Sequence, residues 1–478
     1  MMLLSARKQD IYNHFETIAA GYMQYRKRFS YYGKDIENYF NFFISDTDSI
    51  LEIGCGCGET IHGLKGKQRT GIDFSPKMIE VAKASYTNVE FLVMDAENIT
   101  LDKKFDVIIF NNIIGYLDNI QDVLYAIKKN CHEHTRVIIS YYNHWWEPIL
   151  NFGETIGYKK KSPQQNWLNE NDISNLLYLS GFETYRTNRR LLFPIYIPIL
   201  SWLLNKYIAK LPIFKSLCLN EFIFARPFSN VNEEAVAEKY SVSICIPARN
   251  ESGNIENAIL RLPKFGKHQE IIFVEGNSSD DTWQKIQEIQ EKYRDSHDIK
   301  IAQQPGKGKG DAVRKGYSIA TQDILMILDA DLTMPPEELP KFYNAIATGK
   351  GEFINGSRLV YPMDKDAMRF LNTLGNKFFS WVFSWLLEQP IKDSLCGTKV
   401  MFREDYLKLI ENRKFFGDFD PFGDFDLLFG AYKLNLKIID LPIRYKERTY
   451  GTTNISRFTN GFMLLRMCWF AAGKIKFW

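Results

Sequence analysis

Short apolar runs alternate with stretches of helical character along this chain, and the alternation comes in two blocks. In the first block the runs at 49–53, 69–73, 89–93, 105–110, 135–141, 182–188 and 221–226 read as strands. In the second, the runs at 242–246, 270–274, 299–303, 324–328, 352–356 and 437–444 do so. Alternating β and α predicts mostly parallel sheets covered by helices, an α/β class. Both blocks open alike: a buried strand runs into a polar turn and then a helix, at 49–58 and again at 242–251. Between them, 227–239 (PFSNVNEEAVAEK) is polar and poor in aromatics, and reads as a linker. The pattern therefore predicts a first domain over 1–228, a linker over 229–240, a second domain over 241–460 and an apolar, basic helix over 461–478. A chain of 478 residues is too long for one ordinary core, in keeping with two domains.

Two apolar stretches fall short of the roughly 18–20 residues that cross a bilayer. Residues 191–204 (LLFPIYIPILSWLL) contain Pro194 and Pro198, and 462–470 (FMLLRMCWF) contain Arg466, with Lys474 and Lys476 beyond. Each reads either as a helix lying on a membrane surface, basic residues toward the headgroups, or as a buried core helix. Lys+Arg is 60 and Asp+Glu 57, a balance that argues against a nucleic-acid partner held by bulk charge. The seven cysteines are scattered, and 1–10 lacks the apolar core and cleavage site of a secretory signal. The expected location is cytoplasmic, with peripheral contact at the inner face of the membrane. Cys55 with Cys57, and Cys131 with His132 and His134, lack zinc-site spacing and read as a small-residue turn and a polar helix end.

The run Leu51-Glu52-Ile53-Gly54-Cys55-Gly56-Cys57-Gly58 follows a strand and opens a helix. Its glycines let backbone approach a ligand. The third glycine of a dinucleotide turn is missing, because Glu59 or Ile61 stands there, and an acidic residue makes a poor pyrophosphate cradle. The loop suits a ligand without phosphates. Asp73 ends the next strand, where a carboxylate can accept both ribose hydroxyls, and Asp95 ends a third, within reach of an adenine amino group. Asn111 and Asn112 end a fourth. The runs LEIGCGCGE, GIDFSPKMIEVAK, VEFLVMDAEN and FDVIIFNNIIGYL resemble, in order and spacing, class I S-adenosylmethionine-dependent methyltransferases over roughly 45–226. The resemblance implies that Glu52, Gly54, Gly56 and Gly58 line the methionine end of the cofactor, that Asp73 takes the ribose, Asp95 and Ala96 the adenine, and that Asn112 faces the methyl group. The family's last two strands usually form a tight hairpin. Here an apolar and basic insert separates them, and it reads as a lid, a contact with the second domain or a membrane foot. His144, past a strand end, reads as a base for the acceptor or as a structural histidine.

In the second block, Asp329-Ala330-Asp331 ends a buried strand. Two carboxylates so placed can share Mg²⁺ or Mn²⁺, which would neutralise a leaving diphosphate. Alone the pair reads equally as a solvated loop. Its context is VSICIPARNE at 242–251, FVEGNSSDDT at 273–282 and the basic turn QPGKGKGDAVRKG at 304–316. Together these resemble family-2 glycosyltransferases of the GT-A fold, in particular the polyprenyl-phosphate sugar synthases, over about 240–460. The resemblance implies that Pro247, Ala248, Asn250 and Glu251 border the nucleotide. Glu275 would meet its base or ribose, Lys309 the diphosphate, and Asp329 and Asp331 the metal and sugar phosphate. Glu275-Gly276-Asn277 stands where the family usually has Asp-Gly-Ser, and Thr333 where the synthases often have glutamine. In inverting members an acidic residue deprotonates an acceptor hydroxyl, a role for Asp424 or Asp426. A lipid phosphate needs no base. Arg358, Arg369 and Arg444 would then serve as clamps, although singly each reads as a surface arginine.

The expectation is thus a Rossmann-like seven-stranded methyltransferase sheet joined to a GT-A nucleotide-sugar-binding sandwich. The expected cofactors are S-adenosylmethionine and Mg²⁺ or Mn²⁺, and the expected partners a nucleotide-sugar and a lipid-phosphate or glycan acceptor. The alternative is a glycosyltransferase whose first domain binds cofactor only as a regulatory or scaffolding module. A lectin-like binder is a third class, disfavoured by the Asp329/Asp331 pair.

Overall fold

The computed structural model describes residues 5–229, 231–358, 370–411, 423–446, 450 and 457–477. The chain divides into two compact units between Phe228 and Ser229.

The first unit begins with two helices, α1 (Ala6–Lys27) and α2 (Ser30–Phe43). Its strands are β1 (Ser49–Ile53), β2 (Gln68–Asp73), β3 (Glu90–Val93), β4 (Phe105–Asn111), β5 (Cys131–Tyr142), β6 (Phe182–Arg190) and β7 (Asn220–Pro227). They form one seven-stranded sheet in the order β3-β2-β1-β4-β5-β7-β6. All neighbours run parallel except β7, which is antiparallel to β5 and β6. The order reverses between β1 and β4, so the chain leaves these two strands toward opposite sides and opens a crevice at their carboxyl ends. Leu51, Ile53, Phe110, Val123 and Ile127 meet in the core. α2 lays Tyr39 and Phe40 on Phe222 of β7, ring to ring at 4.7 and 5.9 Å. α1 packs on the helix Pro76–Ser85, where Ala19 meets Cys57 and Met78, and so covers the glycine loop.

The insert after β6 leaves the hairpin intact: β6 and β7 stay paired from Phe182↔Pro227 to Arg190↔Asn220. Residues 191–204 do not make one helix. They form a turn and then the helix Leu200–Lys206, followed by a 3₁₀ turn Ile208–Lys210 and the helix Pro212–Lys215. Pro194 and Pro198 precede the first helix, as expected of residues that cannot continue one.

The second unit holds β8 (Val242–Ala248), β9 (Gln269–Glu275), β10 (Asp298–Gln303), β11 (Ile324–Ile327), β12 (Phe353–Ser357), β13 (Lys399–Phe402) and β14 (Ile438–Pro442), in the order β10-β9-β8-β11-β13-β12-β14. β13 is absent from the sequence-based assignment. It runs antiparallel between β11 and β12 and makes the sheet mixed. Four residues, KVMF, with no alternation and a helix starting at Arg403, carry too little period to read. The segment 229–240, polar enough to read as a linker, carries the helix Glu233–Val236, and Val236 is buried in the core of this unit. Residues 462–470 lie within the helix Arg457–Ile475. Among the described residues no helix is long and apolar enough to cross a membrane.

Candidate active sites

In the first unit the loop after β1 is shaped by left-handed backbone. Gly54, Gly56 and Gly58 have φ of 71°, 54° and 78°. A Cβ at Gly54 would lie 2.1 Å from Ile113 Cδ1, and one at Gly58 2.5 Å from Phe91 Cζ. At Gly56 the nearest atom is 4.0 Å away, so there the conformation alone demands glycine. Residues 54–57 of the loop line a cavity of about 520 Å³, whereas Gly58 packs against Phe91 and is not on its wall.

Glu52 projects from the middle of β1 and is buried; its Oε2 accepts from Ile61 N at 3.1 Å. Burial pushes its carboxyl up to about 8. Asp73 accepts from Gly56 N and Ser75 N, both at 2.9 Å, and burial raises it to about 6. Asp95 is paired with Lys8 Nζ at 2.6 Å, and Ala96 lies beside it on the wall. Asn112 adopts φ 56°, donates to Tyr32 Oη at 2.7 Å, and keeps a buried Oδ1 with no hydrogen-bond partner. The open glycine loop, the Asp73 carboxylate and the orphaned Asn112 oxygen fit an adenosyl cofactor.

α1 and the start of α2 supply what sequence reasoning missed: Lys8, His14, Tyr22, Arg26 and Tyr32 line the same cavity. Arg26 Nε holds Glu59 Oε2 at 2.9 Å. The available signal was the recurrence of aromatics at 15, 22, 25, 29 and 32, with one helix face exposed to a ligand. His144 does not line the cavity, whereas Trp146 does. Among the described residues no group of three or more His, Cys, Asp or Glu side chains could hold a metal, and His132 pairs with Asp106 at 3.0 Å.

In the second unit three segments meet at the carboxyl ends of β8, β9 and β11. Pro247 and Ala248 close β8. Asn250, at φ 56°, accepts from Ser279 N at 2.8 Å. Glu251 is buried and accepts from Asn254 Nδ2 at 2.8 Å. Glu275 is buried at the end of β9, with Gln303 Nε2 3.4 Å away. Asn277 takes φ 58°, a conformation asparagine tolerates, and ties to Gly306 O at 3.0 Å.

The helix Lys309–Ile319 gathers the rest. Lys309 Nζ lies 2.5 Å from Asp329 Oδ1. Burial would raise Asp329, but Lys309 outweighs it and holds the carboxyl below its ordinary range. Asp331 Oδ1 accepts from Thr333 N at 3.1 Å and Thr333 Oγ1 at 2.8 Å. Thr333 thus orients the second carboxylate. Gly397 packs against the pair: a Cβ there would lie 2.2 Å from both Asp329 Oδ2 and Lys309 Nζ. Gly423, at φ 75°, caps the helix Asp424–Lys433 and abuts Gly310, since a Cβ would come within 2.5 Å of Gly310 Cα. Asp426 Oδ2 faces Arg314 Nη1 at 3.7 Å. Asp424 opens the helix, and its side chain lies outside the described residues, as does Arg369. Arg358 is turned onto buried Asp393, with Nε to Oδ2 at 2.7 Å and Nη2 to Oδ1 at 2.8 Å, which braces the 393–397 loop. Two carboxylates one residue apart at a sheet's carboxyl edge are hard oxygen donors of the kind that hold Mg²⁺ or Mn²⁺ beside a substrate diphosphate.

Two α/β domains, each with acidic groups at a sheet's carboxyl edge, define a two-domain transferase. A methyltransferase domain family matches residues 44–177, and glycosyl transferase family 2 matches 243–412. Each unit thus carries one of the two matches. A dolichol-phosphate mannosyltransferase from Pyrococcus furiosus is 38% identical over 224 residues, which span 45% of this chain and 59% of that protein. The match therefore extends over little more than half of that relative's length. Among solved structures, a SAM-dependent methyltransferase from Thermotoga maritima aligns with 45% of this chain and 99% of its own at 16% identity and TM-score 0.36. Magnesium protoporphyrin IX methyltransferase from Synechocystis PCC 6803 with bound SAH aligns with 46% and 100% at 14% identity and TM-score 0.33.

Proposed function

We propose that the chain is a bifunctional enzyme of lipid-linked or surface-glycan synthesis. The second unit moves a sugar from a nucleotide-sugar, with inversion and with a divalent metal, to a lipid-phosphate or glycan acceptor. The first unit methylates a sugar, a lipid or another part of the same product. The observation that carries the glycosyl reading is the cluster of Lys309, Asp329, Asp331 and Gly397 at one helix N-terminus, where a diphosphate is favoured. The likeness to a dolichol-phosphate mannosyltransferase supports a lipid-phosphate acceptor.

Mg²⁺ or Mn²⁺, when bound, supplies positive charge for the departing diphosphate, and Asp329 and Asp331 would hold it. An acceptor oxygen attacks the anomeric carbon, the bond from that carbon to the diphosphate breaks, and the nucleoside diphosphate leaves. Lys309 screens the charge that gathers on it. A lipid phosphate attacks as an anion. A sugar hydroxyl would give its proton to Asp424 or Asp426. In the first unit S-adenosylmethionine, when bound, supplies an electrophilic methyl group. Glu52, Gly54 and Gly56 would hold its methionine end, Asp73 its ribose, and Asp95 and Ala96 its adenine, with Asn112 toward the acceptor.

The test is nucleotide release from a panel of UDP- and GDP-sugars with Mg²⁺ or Mn²⁺, with and without polyprenyl phosphate, beside Asp331→Ala. Metal-dependent turnover that the lipid stimulates and the variant loses supports the reading. Turnover without lipid stimulation moves the acceptor to a hydroxyl. No turnover of any donor sinks the glycosyl reading for that panel.

A further inference from the structure

The cavity of the first unit is flanked by two apolar segments that point outward. One is the helix Glu147–Thr155 with its flanks, on which Trp145 is 68% and Phe152 65% exposed. The other is the insert after β6, on which Ile199 is 79% and Ile213 81% exposed, with Trp202, Leu203 and Leu217 also open. The two are joined: Trp146 Nε1 donates to Leu217 O at 2.9 Å, and Asn143 Nδ2 donates to Ser216 O at 2.8 Å. Both reach the cavity wall, the first through Trp146, Ile149, Phe152 and Ile156 and the second through Pro194 and Ile195. A contiguous exposed apolar patch of this kind is a mark of an interaction surface.

The patch is built rather than loose. Ser201, fully buried, sets its Oγ 2.8 Å from Ile195 O and 2.7 Å from Ile197 O. Asn205 Nδ2 donates to Phe193 O at 2.7 Å and to Tyr31 Oη at 2.9 Å. Ile199, β-branched, is held at φ 66°, a conformation such residues avoid, and points into solvent. Its fixed outward display has no use inside the fold.

Charge selects the occupant. Residues 191–217 contain no Asp or Glu; their Lys206 and Lys215 are partly exposed while Lys210 is buried, and Lys160 and Lys161 are exposed beside the other segment, whose helix carries Glu147 and Glu154. A second copy paired two-fold on this patch would set lysine against lysine. A bilayer with anionic headgroups meets both the apolar side chains and the lysines around them. We infer that this collar beds into the headgroup layer of an anionic membrane, with the cavity mouth at the lipid surface. On the methyl-transfer reading, on which this last step rests, the methyl acceptor is an amphiphile that enters from the lipid.

All seven native cysteines are buried, so Ile213→Cys in the full chain takes an environment-sensitive fluorophore at one place. With vesicles of phosphatidylcholine and phosphatidylglycerol its emission should shift to the blue and be quenched by acyl-chain spin labels, and less so with phosphatidylcholine alone. Adding Ile199→Asp and Trp202→Asp should remove the quenching while far-UV circular dichroism and the thermal midpoint stay unchanged. No quenching by labelled lipid overturns the inference, as does a blue shift that follows protein concentration without vesicles, the sign of a second copy. Calorimetric binding of S-adenosylmethionine to the same protein keeps the two readings apart: binding without docking overturns the collar and leaves the cofactor site standing.

Discussion

Lys309 Nζ lies 2.5 Å from Asp329 Oδ1, with Gly397 packed against both. An ammonium thus stands beside the carboxylate at the point where a diphosphate and its metal would bring opposite charges together. Lys309→Ala removes the strongest of the cations, ahead of Lys399 and Arg358, that hold the half-buried Asp329 carboxyl down, so that carboxyl rises from its lowered value. Loss of one such preorganised charge costs about 100-fold or more in turnover. Nucleotide release at saturating metal should fall by that order, and Lys309→Arg should restore little of it, because the added bulk meets Gly397.

Gly397→Ala separates packing from chemistry. The atoms nearest the new methyl group are the ends of the Asp329 and Lys309 side chains, which it must displace. Unfolding by urea should shift by roughly 1 kcal/mol or less, while sugar transfer falls nearly as far as in Lys309→Ala. A large loss of stability would show that the loop cannot accommodate the change and would remove the argument.

The buried carboxyls of the first unit make its stability fall with rising pH. Glu52 is raised from 4.5 to about 8 and Asp73 from 3.8 to about 6, so the folded state binds more protons than the unfolded state across that window. The contribution is fully present below the unfolded values and is lost as pH climbs through the folded ones, at up to about 1.4 kcal/mol per pH unit per group. Glu52→Gln should flatten the midpoint-versus-pH curve between pH 5 and 8, the window that its raised carboxyl spans. A cationic cofactor favours the ionised carboxyls. Binding of S-adenosylmethionine should therefore tighten with pH and release protons, read by calorimetry in buffers of different ionisation enthalpy.

Val236 tests where the second unit begins. It is fully buried against that core, and Tyr343 Oη donates to its carbonyl at 2.6 Å. Val236→Ala should lower the stability of the second unit by about 1.5–3 kcal/mol at most, the range for burying a whole valine side chain. A shift under a few tenths in chemical denaturation would mean that residues 229–240 contribute nothing to it.

Much of both sheets was legible because a strand's signal is local. The runs that became β1, β4, β8, β9 and β11 are rich in apolar residues, and turn chemistry closes them; β1 runs into Gly54, β2 ends at Asp73, β9 ends at Glu275 and β11 leads to Asp329. β13 escaped because four residues cannot show a period. The segment 229–240 escaped because its short helix buries one valine, and composition averages that away.

The sequence by itself determined the two-domain α/β plan, the glycine loop at 54–58 and the paired carboxylates at 329 and 331, since each is written in neighbouring residues whose chemistry is local. Only the tertiary structure decided which distant groups face them. It set Lys8 on Asp95 across 87 positions of chain, laid Arg26 and Tyr32 along the cofactor cavity, placed Gly397 on the Lys309–Asp329 pair and turned Arg358 onto Asp393. The physical reason is that a pair's energy depends on distance in space, which the sheet order and its crossovers set, and spacing along the chain does not encode that distance.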